Sequence, residues 1–299
     1  MTFQDAVLAL DIGGTHITAA SVDASGLGPQ IRSAVDGEAS ATEILDIWAE
    51  AALLGAGETP VAAVSISAPG PFDYAEGIAR FDHKLYALTD LDIGAALRER
   101  WTGTPLDGLP ISYINDAVAF ALGEFTVHQG SGVRRLLGLT LGTGLGSGFI
   151  VEGRPVSAGE DVPPGGEVWQ LPFRGGIAED TLSAPALRRA YHVLSGMELD
   201  AREITQHAEA GDNHAIQVYR EFGRDLAAAL LPCIQAFRPD LIVLGGQVSR
   251  AWPLFEMPLR AGLAPFTTIC SDLLDEANLL GAAALYRPML GLSPPFHVR

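Results

Sequence analysis

Residues 7–20, VLALDIGGTHITAA, constrain the fold more than any other stretch of the chain. An apolar run ends at Asp11, turns on Gly13 and Gly14 beside Thr15, and becomes apolar again. The pattern reads as a buried strand, a tight turn and a second strand re-entering the same sheet. Glycines in such a turn let backbone N–H groups face a phosphate at close range. Asp11, acceptor-only when ionised, can hold a hydrated Mg2+ beside that phosphate. An ordinary hairpin uses the same paired glycines, so this turn alone leaves both readings open.

Two further glycine turns follow. Residues 136–151, LLGLTLGTGLGSGFIV, place Gly142, Thr143, Gly144, Gly146 and Gly148 between apolar flanks. Gly245 and Gly246 follow the short apolar run at 241–244, with Gln247 behind them. Three glycine turns, each after an apolar strand, suit a nucleotide held from several sides. This organisation resembles the superfamily of sugar kinases, heat-shock chaperone ATPases and actin. The local spelling resembles the ROK family of bacterial sugar kinases and sugar-responsive repressors. DIGGT, IND at 114–116, LGTGLGSG, GGEVWQ and LGGQVS carry that resemblance in order across nearly the whole chain. It implies an α/β, two-domain actin-like ATPase (ribonuclease H-like) fold with an interdomain cleft.

Composition narrows the partners. A length of 299 residues suits about two domains. A formal charge of −17 argues against nucleic acid, which needs basic clusters to neutralise phosphate. Lys84 is the only lysine. A Walker A loop, which needs Lys after its last glycine, is therefore excluded. The glycine spacing of LGTGLGSG does not match the dinucleotide fingerprint. Cys233 and Cys270 lie far apart in apolar settings and read as a reduced, cytosolic pair. No basic stretch followed by an apolar one opens the chain, so a cytoplasmic location is expected. The longest uncharged run, 136–151, is too short and glycine-rich to span a membrane.

Along the chain, strands are expected at 7–10, 17–22, 61–66, 111–114 and 241–244, and around the second glycine turn. Helices are expected at 41–54, 93–100, 117–126, 184–194, 201–210 and 279–289, with a long one after Asp212. Ile216, Tyr219, Phe222, Leu226, Leu230 and Phe237 recur along that long helix as a buried stripe. Pro232 should kink or locally open it. The expected domains are a small one at 1–116, completed by a C-terminal helix at 282–299, and a large one at 117–281.

Asn115 and Asp116 at a strand end are the foremost catalytic candidates. A hydroxyl attacking a γ-phosphorus needs a proton acceptor in close alignment, and a carboxylate on a rigid element offers one. From the residues alone, Asp116 reads first as the cap of the following helix. The family resemblance instead implies that Asp116 is the general base and that Asn115 binds sugar hydroxyls. It also implies that GGEVWQ matches the family's GEIGH segment, making Glu167 a sugar ligand. Gln170 then stands where the family usually has a zinc-ligating histidine. No cysteine occurs in 173–181, so no zinc is expected. Glu179 aligns with a second sugar-binding glutamate, and a solvated carboxylate is its alternative. Gly70, in the turn SAPGP, can approach a sugar through its backbone. Residues 80–86, RFDHKLY, lie where the family presents an asparagine-containing sugar loop, so Asp82 and His83 take no firm role. His207 and His214 lack metal-binding spacing and are expected to face solvent.

The reading that follows is an ATP-dependent kinase of glucose or a close hexose. Phosphates would face Gly13, Gly14, Thr15, Gly142, Thr143 and Gly144, Mg2+ would lie by Asp11, and Gly245 and Gly246 would face the adenosine. Domain closure would keep water from hydrolysing ATP. A kinase for an N-acetylhexosamine or fructose, a polyphosphate donor, and a non-catalytic sugar-binding protein are the alternatives. A sugar-sensing regulator is disfavoured, because the first glycine turn comes too early for a preceding DNA-binding helix pair and the chain is acidic. The resemblance further implies a homodimer.

Overall fold

The computed structural model describes residues 6–82, 84–273 and 275–286. Strands run in chain order as β1 (Ala6–Ile12), β2 (His16–Asp23), β3 (Gly26–Leu27), β4 (Ile31–Ala34), β5 (Val61–Ala68), β6 (Phe72–Asp73), β7 (Ile78–Ala79) and β8 (Ile111–Asn115). They continue as β9 (Arg135–Leu141), β10 (Leu145–Val151), β11 (Arg154–Val156), β12 (Pro172–Phe173), β13 (Gly176–Ile177), β14 (Leu241–Gly245) and β15 (Thr268–Cys270). The helices are α1 (Ala41–Ala56), α2 (Ile93–Trp101), α3 (Asp116–His128) and α4 (Ala184–Ser195). Four more follow: α5 (Ala201–Glu209), α6 (Asn213–Phe237), α7 (Trp252–Leu263) and α8 (Glu276–Tyr286). Among the described residues, no helix is long and apolar enough to cross a membrane.

The chain divides into two compact units, Met1–His128 with Asp275–Arg299, and Gln129–Leu274. The first unit keeps α3, which the sequence assigned past the division at 116. It also takes all of α8, which starts at Glu276, ahead of the expected return at 282. The reason is close packing between these two helices. A Cβ placed on Gly123 of α3 would collide with the carbonyl oxygen of Ala277, and one on Gly281 of α8 with that of Ala119. Small residues let the backbones touch, so neither helix can be assigned without the other. The rest of the expected helix at 282–299, from Arg287 onward, lies outside the described residues.

In the first unit the strand order is β3-β2-β1-β5-β8, with β4 also pairing β2. β1 runs antiparallel to β2 and parallel to β5, which runs parallel to β8. Side chains alternate across a strand. Leu8, Leu10 and Ile12 join Ile44, Leu45 and Trp48 of α1 and Leu97 and Trp101 of α2 in one buried cluster. Asp11 points the other way, toward α8. α1 is started by a reciprocal cap: Ser40 accepts from the Glu43 N–H, and the Glu43 carboxylate accepts from the Ser40 N–H at 3.0 Å.

The second unit repeats the plan. Its strand order is β11-β10-β9-β14-β15, with the β9–β10 hairpin antiparallel and β14 and β15 parallel. A glycine turn joins the first two strands in both units, and a parallel strand lies beside the first. Leu137, Leu139 and Leu141 pack against Tyr219, Phe222, Leu226 and Leu230 of α6 and Phe255 and Leu259 of α7. Of the expected α6 stripe, Ile216 is only partly buried and packs against that core. Asp212 caps α6 by accepting from the His214 N–H at 2.8 Å. The helix runs on through Pro232 to Phe237. His207 is not simply solvent-facing: its Nδ1 lies 3.3 Å from the Tyr191 hydroxyl and 3.5 Å from Asp212.

Candidate functional site

The register of the first sheet gathers the foremost candidates at one end. Asp11 pairs with Ser67, and Ala68 with Asn115, so β1, β5 and β8 finish side by side. Carboxyl ends of parallel strands are where open α/β sheets bind ligands. Asp11 is buried, and its Oδ1 accepts from the Ser67 hydroxyl at 2.9 Å and the Asn278 amide at 2.9 Å. Burial pushes its pKa up to about 6 despite those two hydrogen bonds, and the neighbouring Asp116 adds to the rise. Both bonds land on one oxygen, leaving Oδ2 as the side for a cation. Mg2+ commonly uses only one or two protein carboxylates beside substrate phosphates. A desolvated carboxylate with raised pKa therefore fits it, although no group of three metal-ligating side chains exists among the described residues.

Asn115 and Asp116 divide their work. Asn115 Oδ1 accepts from the N–H groups of Ala117 at 3.0 Å and Val118 at 3.2 Å. Its Nδ2 donates to the Tyr74 hydroxyl at 3.0 Å. Asn115 thus caps α3, the role the residues alone suggested for Asp116. Asp116 occupies the first turn of α3, where its Oδ1 accepts from the Ala117 N–H at 2.8 Å. Burial raises its pKa above the ordinary carboxylate range, opposed by the Ala117 N–H and by the Lys84 charge. A carboxylate with raised pKa at a helix N-terminus is a competent proton acceptor.

Each unit presents a glycine turn with an exposed threonine at its tip, Thr15 and Thr143. In the first, the Gly13 N–H donates to the His16 carbonyl at 2.8 Å, and the Val35 N–H to the Thr15 carbonyl at 2.9 Å. In the second, the Gly142 N–H donates to the Gly144 carbonyl at 3.0 Å. The Ala184 N–H, at the start of α4, donates to the Gly142 carbonyl at 2.8 Å. No heavy atom lies within 4 Å of where a Gly142 Cβ would stand. Gly246 differs: at φ +86° its Cβ would sit 2.5 Å from the Leu141 carbonyl oxygen. That turn is built onto the end of β9, and only glycine fits there.

Glu179 sits beneath the second turn. Its Oε2 accepts from the Leu145 N–H at 2.8 Å. The same oxygen would lie 2.5 Å from a Gly144 Cβ. Glu167 and Gln170 are both exposed, and the Gln170 amide donates to the Glu167 carboxylate. Their loop is tied to β10 by Ser147, whose hydroxyl donates to the Gly166 carbonyl at 2.6 Å and accepts from the Val168 N–H at 3.1 Å. Trp169 packs on the core of the second unit, so the Gln170 side chain is held by Glu167. Gly70 has only the Tyr74 hydroxyl near its Cβ position, at 3.8 Å. Asp82 is exposed, and His83 lies outside the described residues.

Sequence reasoning did not find Ser67, Tyr74 and Asn278, which hold Asp11 and Asn115. Ser67 had a signal, since it opens SAPGP at the end of the apolar run 61–66, much as Asp11 nearly ends β1. Asn278 had none.

A family model described as the ROK family matches residues 7–288. A glucokinase of Thermotoga maritima is 28% identical over 260 residues, covering 76% of this chain and 80% of its own length. A beta-glucoside kinase of Listeria innocua is 28% identical over 292 residues, covering 92% of this chain and 95% of its own. The crystal structure of a ROK hexokinase from Thermus thermophilus superposes with a TM-score of 0.79 at 28% identity, covering 96% of this chain and 99% of that one.

Proposed function

The chain belongs to the ROK family and is a sugar kinase, and we propose that it transfers the γ-phosphoryl group of ATP to a hydroxyl of glucose or a close hexose. The glucosyl acceptors named for the two relatives favour a gluco-configured ring. The single observation that carries the mechanism is the division of labour at β8. Asn115 caps α3, leaving Asp116 at the helix start with a raised pKa and its Oδ1 on the Ala117 N–H. Asp116 accepts the proton of the attacking hydroxyl as the oxygen–phosphorus bond forms.

The remaining residues bind and orient. The turns at 13–15 and 142–144 receive the phosphates on the backbone N–H groups of Gly14, Thr15, Thr143 and Gly144, with Gly13 and Gly142 closing the turns and Gly245 and Gly246 toward the adenosine. Asp11 holds Mg2+, which when bound neutralises charge on the phosphate oxygens. Asn115, Glu167, Gln170 and the backbone at Gly70 position the sugar. Glu179 braces the second turn through one oxygen and offers the other to a sugar hydroxyl. The active form is a homodimer that works without zinc.

The test is ATP consumption by the purified protein with Mg2+ against glucose, other hexoses, N-acetylhexosamines and beta-glucosides. Saturable, Mg2+-dependent turnover that is best with a gluco-configured sugar is expected. Sugar binding without turnover on any acceptor would replace this reading with a silent sugar-binding protein.

A further inference from the structure

Lys84, the only lysine of the chain, lies across the first glycine turn. Its backbone is fixed by the next residue, Leu85, which is fully buried with φ 54° and precedes the buried Leu88. The side chain runs over Gly14, where a Cβ would collide with Lys84 Cδ and stand 3.2 Å from Cε and 3.3 Å from Nζ. The space a side chain would fill at residue 14 is occupied by the lysine stem. A third segment closes in at Gly37, whose Cβ position is 3.0 Å from the Gly14 carbonyl oxygen and 3.9 Å from the Leu85 nitrogen. Nζ has no hydrogen-bond or ion-pair partner among the described residues, yet its charge is felt at Asp116.

The ammonium stands beside the glycine turn and acts on Asp116 through its charge without an ion pair to it, so it is placed to meet an anion bound at that turn. Arg32, the other cation felt near this turn through His16, is already bonded to Asp275 at 2.8 Å. Asp11 and Asp116 bring negative charge to the same end of the sheet, and a nucleoside triphosphate brings more. Phosphoryl transfer is catalysed mainly by positioning and by neutralising charge on the transferring group.

From this geometry we infer that Lys84 is a catalytic residue whose ammonium contacts the γ-phosphoryl oxygens of a nucleotide bound at Gly13, Gly14 and Thr15. It rests on the kinase reading above. In the step, the sugar oxygen bonds to the γ-phosphorus and the bond from that phosphorus to the bridging oxygen of ADP breaks. The hydroxyl proton passes to Asp116. Lys84 stays protonated and exchanges no proton.

Lys84→Met preserves a stem of similar length over Gly14 while removing the charge, and Lys84→Arg restores a charge. Calorimetric titration with Mg2+–ADP and with Mg2+–AMPPNP separates the γ-phosphate from the rest of the nucleotide. Lys84→Met should bind AMPPNP at least about tenfold more weakly and ADP within about twofold. Turnover should fall by roughly 10²–10³-fold, the usual worth of one charge-stabilising donor, with the sugar KM little changed. Lys84→Arg should recover part of both losses. Equal loss for both nucleotides, no loss for either, or a raised sugar KM with intact kcat would each overturn the assignment. If the unsubstituted protein phosphorylates no sugar, the kinase reading falls, while the two nucleotide titrations still decide the Lys84 contact.

Discussion

The Asn278 amide donates to Asp11 Oδ1 at 2.9 Å, joining residues 267 positions apart in the chain. Together with Ser67 it favours the ionised form of a carboxylate whose pKa burial nevertheless pushes up to about 6. The sign follows from a folded pKa above the ordinary Asp value. The protonated form is stabilised by folding at low pH, and that contribution is lost as pH rises through about 6. On the proposal that Asp11 holds Mg2+, the cation competes with the proton below that point. The Mg2+ concentration for half-maximal activity should therefore rise steeply between pH 7 and 5.5. Asn278→Ala, which removes a hydrogen bond to the ionised form, should increase the Mg2+ requirement several-fold at pH 7. An unchanged Mg2+ dependence in that variant would separate Asp11 from the metal.

Asp116→Asn should cut turnover by roughly 10²–10⁴-fold with sugar KM nearly unchanged. Its folded pKa is raised by burial, so the ionised carboxylate costs stability at neutral pH. The variant should melt at the same temperature as the parent or higher. The acid limb of the parent's kcat profile should lie above the ordinary Asp range, because the base works only when deprotonated. Near-native turnover would leave Asp116 as a helix-start residue alone.

Two glycines should respond oppositely to alanine. Gly142→Ala meets open space, so stability should stay within about 0.5 kcal/mol while ATP affinity falls. Gly246→Ala puts a side chain at φ +86° against the Leu141 backbone and should cost at least about 2 kcal/mol. Thermal melts beside nucleotide titrations separate the two effects. Intact ATP affinity in Gly142→Ala would remove that turn from the phosphate site.

Gln170 donates to Glu167, so removing it releases a carboxylate as well as a potential sugar contact. Gln170→Ala should lower kcat/KM for the best sugar by about 5- to 150-fold, corresponding to 1–3 kcal/mol for a lost partner. The loss should shrink with a deoxy sugar lacking the contacted hydroxyl. Equal losses across a panel of sugars would make Gln170 a holder of Glu167 only.

Most regular elements were legible because their signals are local. Val7, Leu8, Ala9 and Leu10 form an unbroken apolar run, Ser40 and Glu43 spell a cap, and the α6 stripe keeps its period over many turns. α7 left no such trace, since Pro253 and Pro258 interrupt its pattern and the helix is held by packing of Phe255, Leu259 and Leu263. β4 is half exposed and defined only by pairing with β2. At the site, the residues proposed to touch a ligand announce themselves through turns and strand ends. The residues that hold them, Tyr74 and Asn278, do so through contacts that no spacing along the chain encodes. Asn115 and Asp116 show the limit within one dipeptide: both types favour caps, and only the helix start decides which one caps.

The contact of Gly123 with Ala277, and of Gly281 with Ala119, makes α3 and α8 a caliper. One jaw begins with Asp116, and the other carries Asn278, which grips Asp11. Gly123 lies two helical turns beyond Asp116, about 10 Å along the axis. With main chain resting on main chain, neither helix can slide or roll without a clash. The spacing between Asp116 and Asp11, proposed as base and metal carboxylate, is thereby set where two glycines cross.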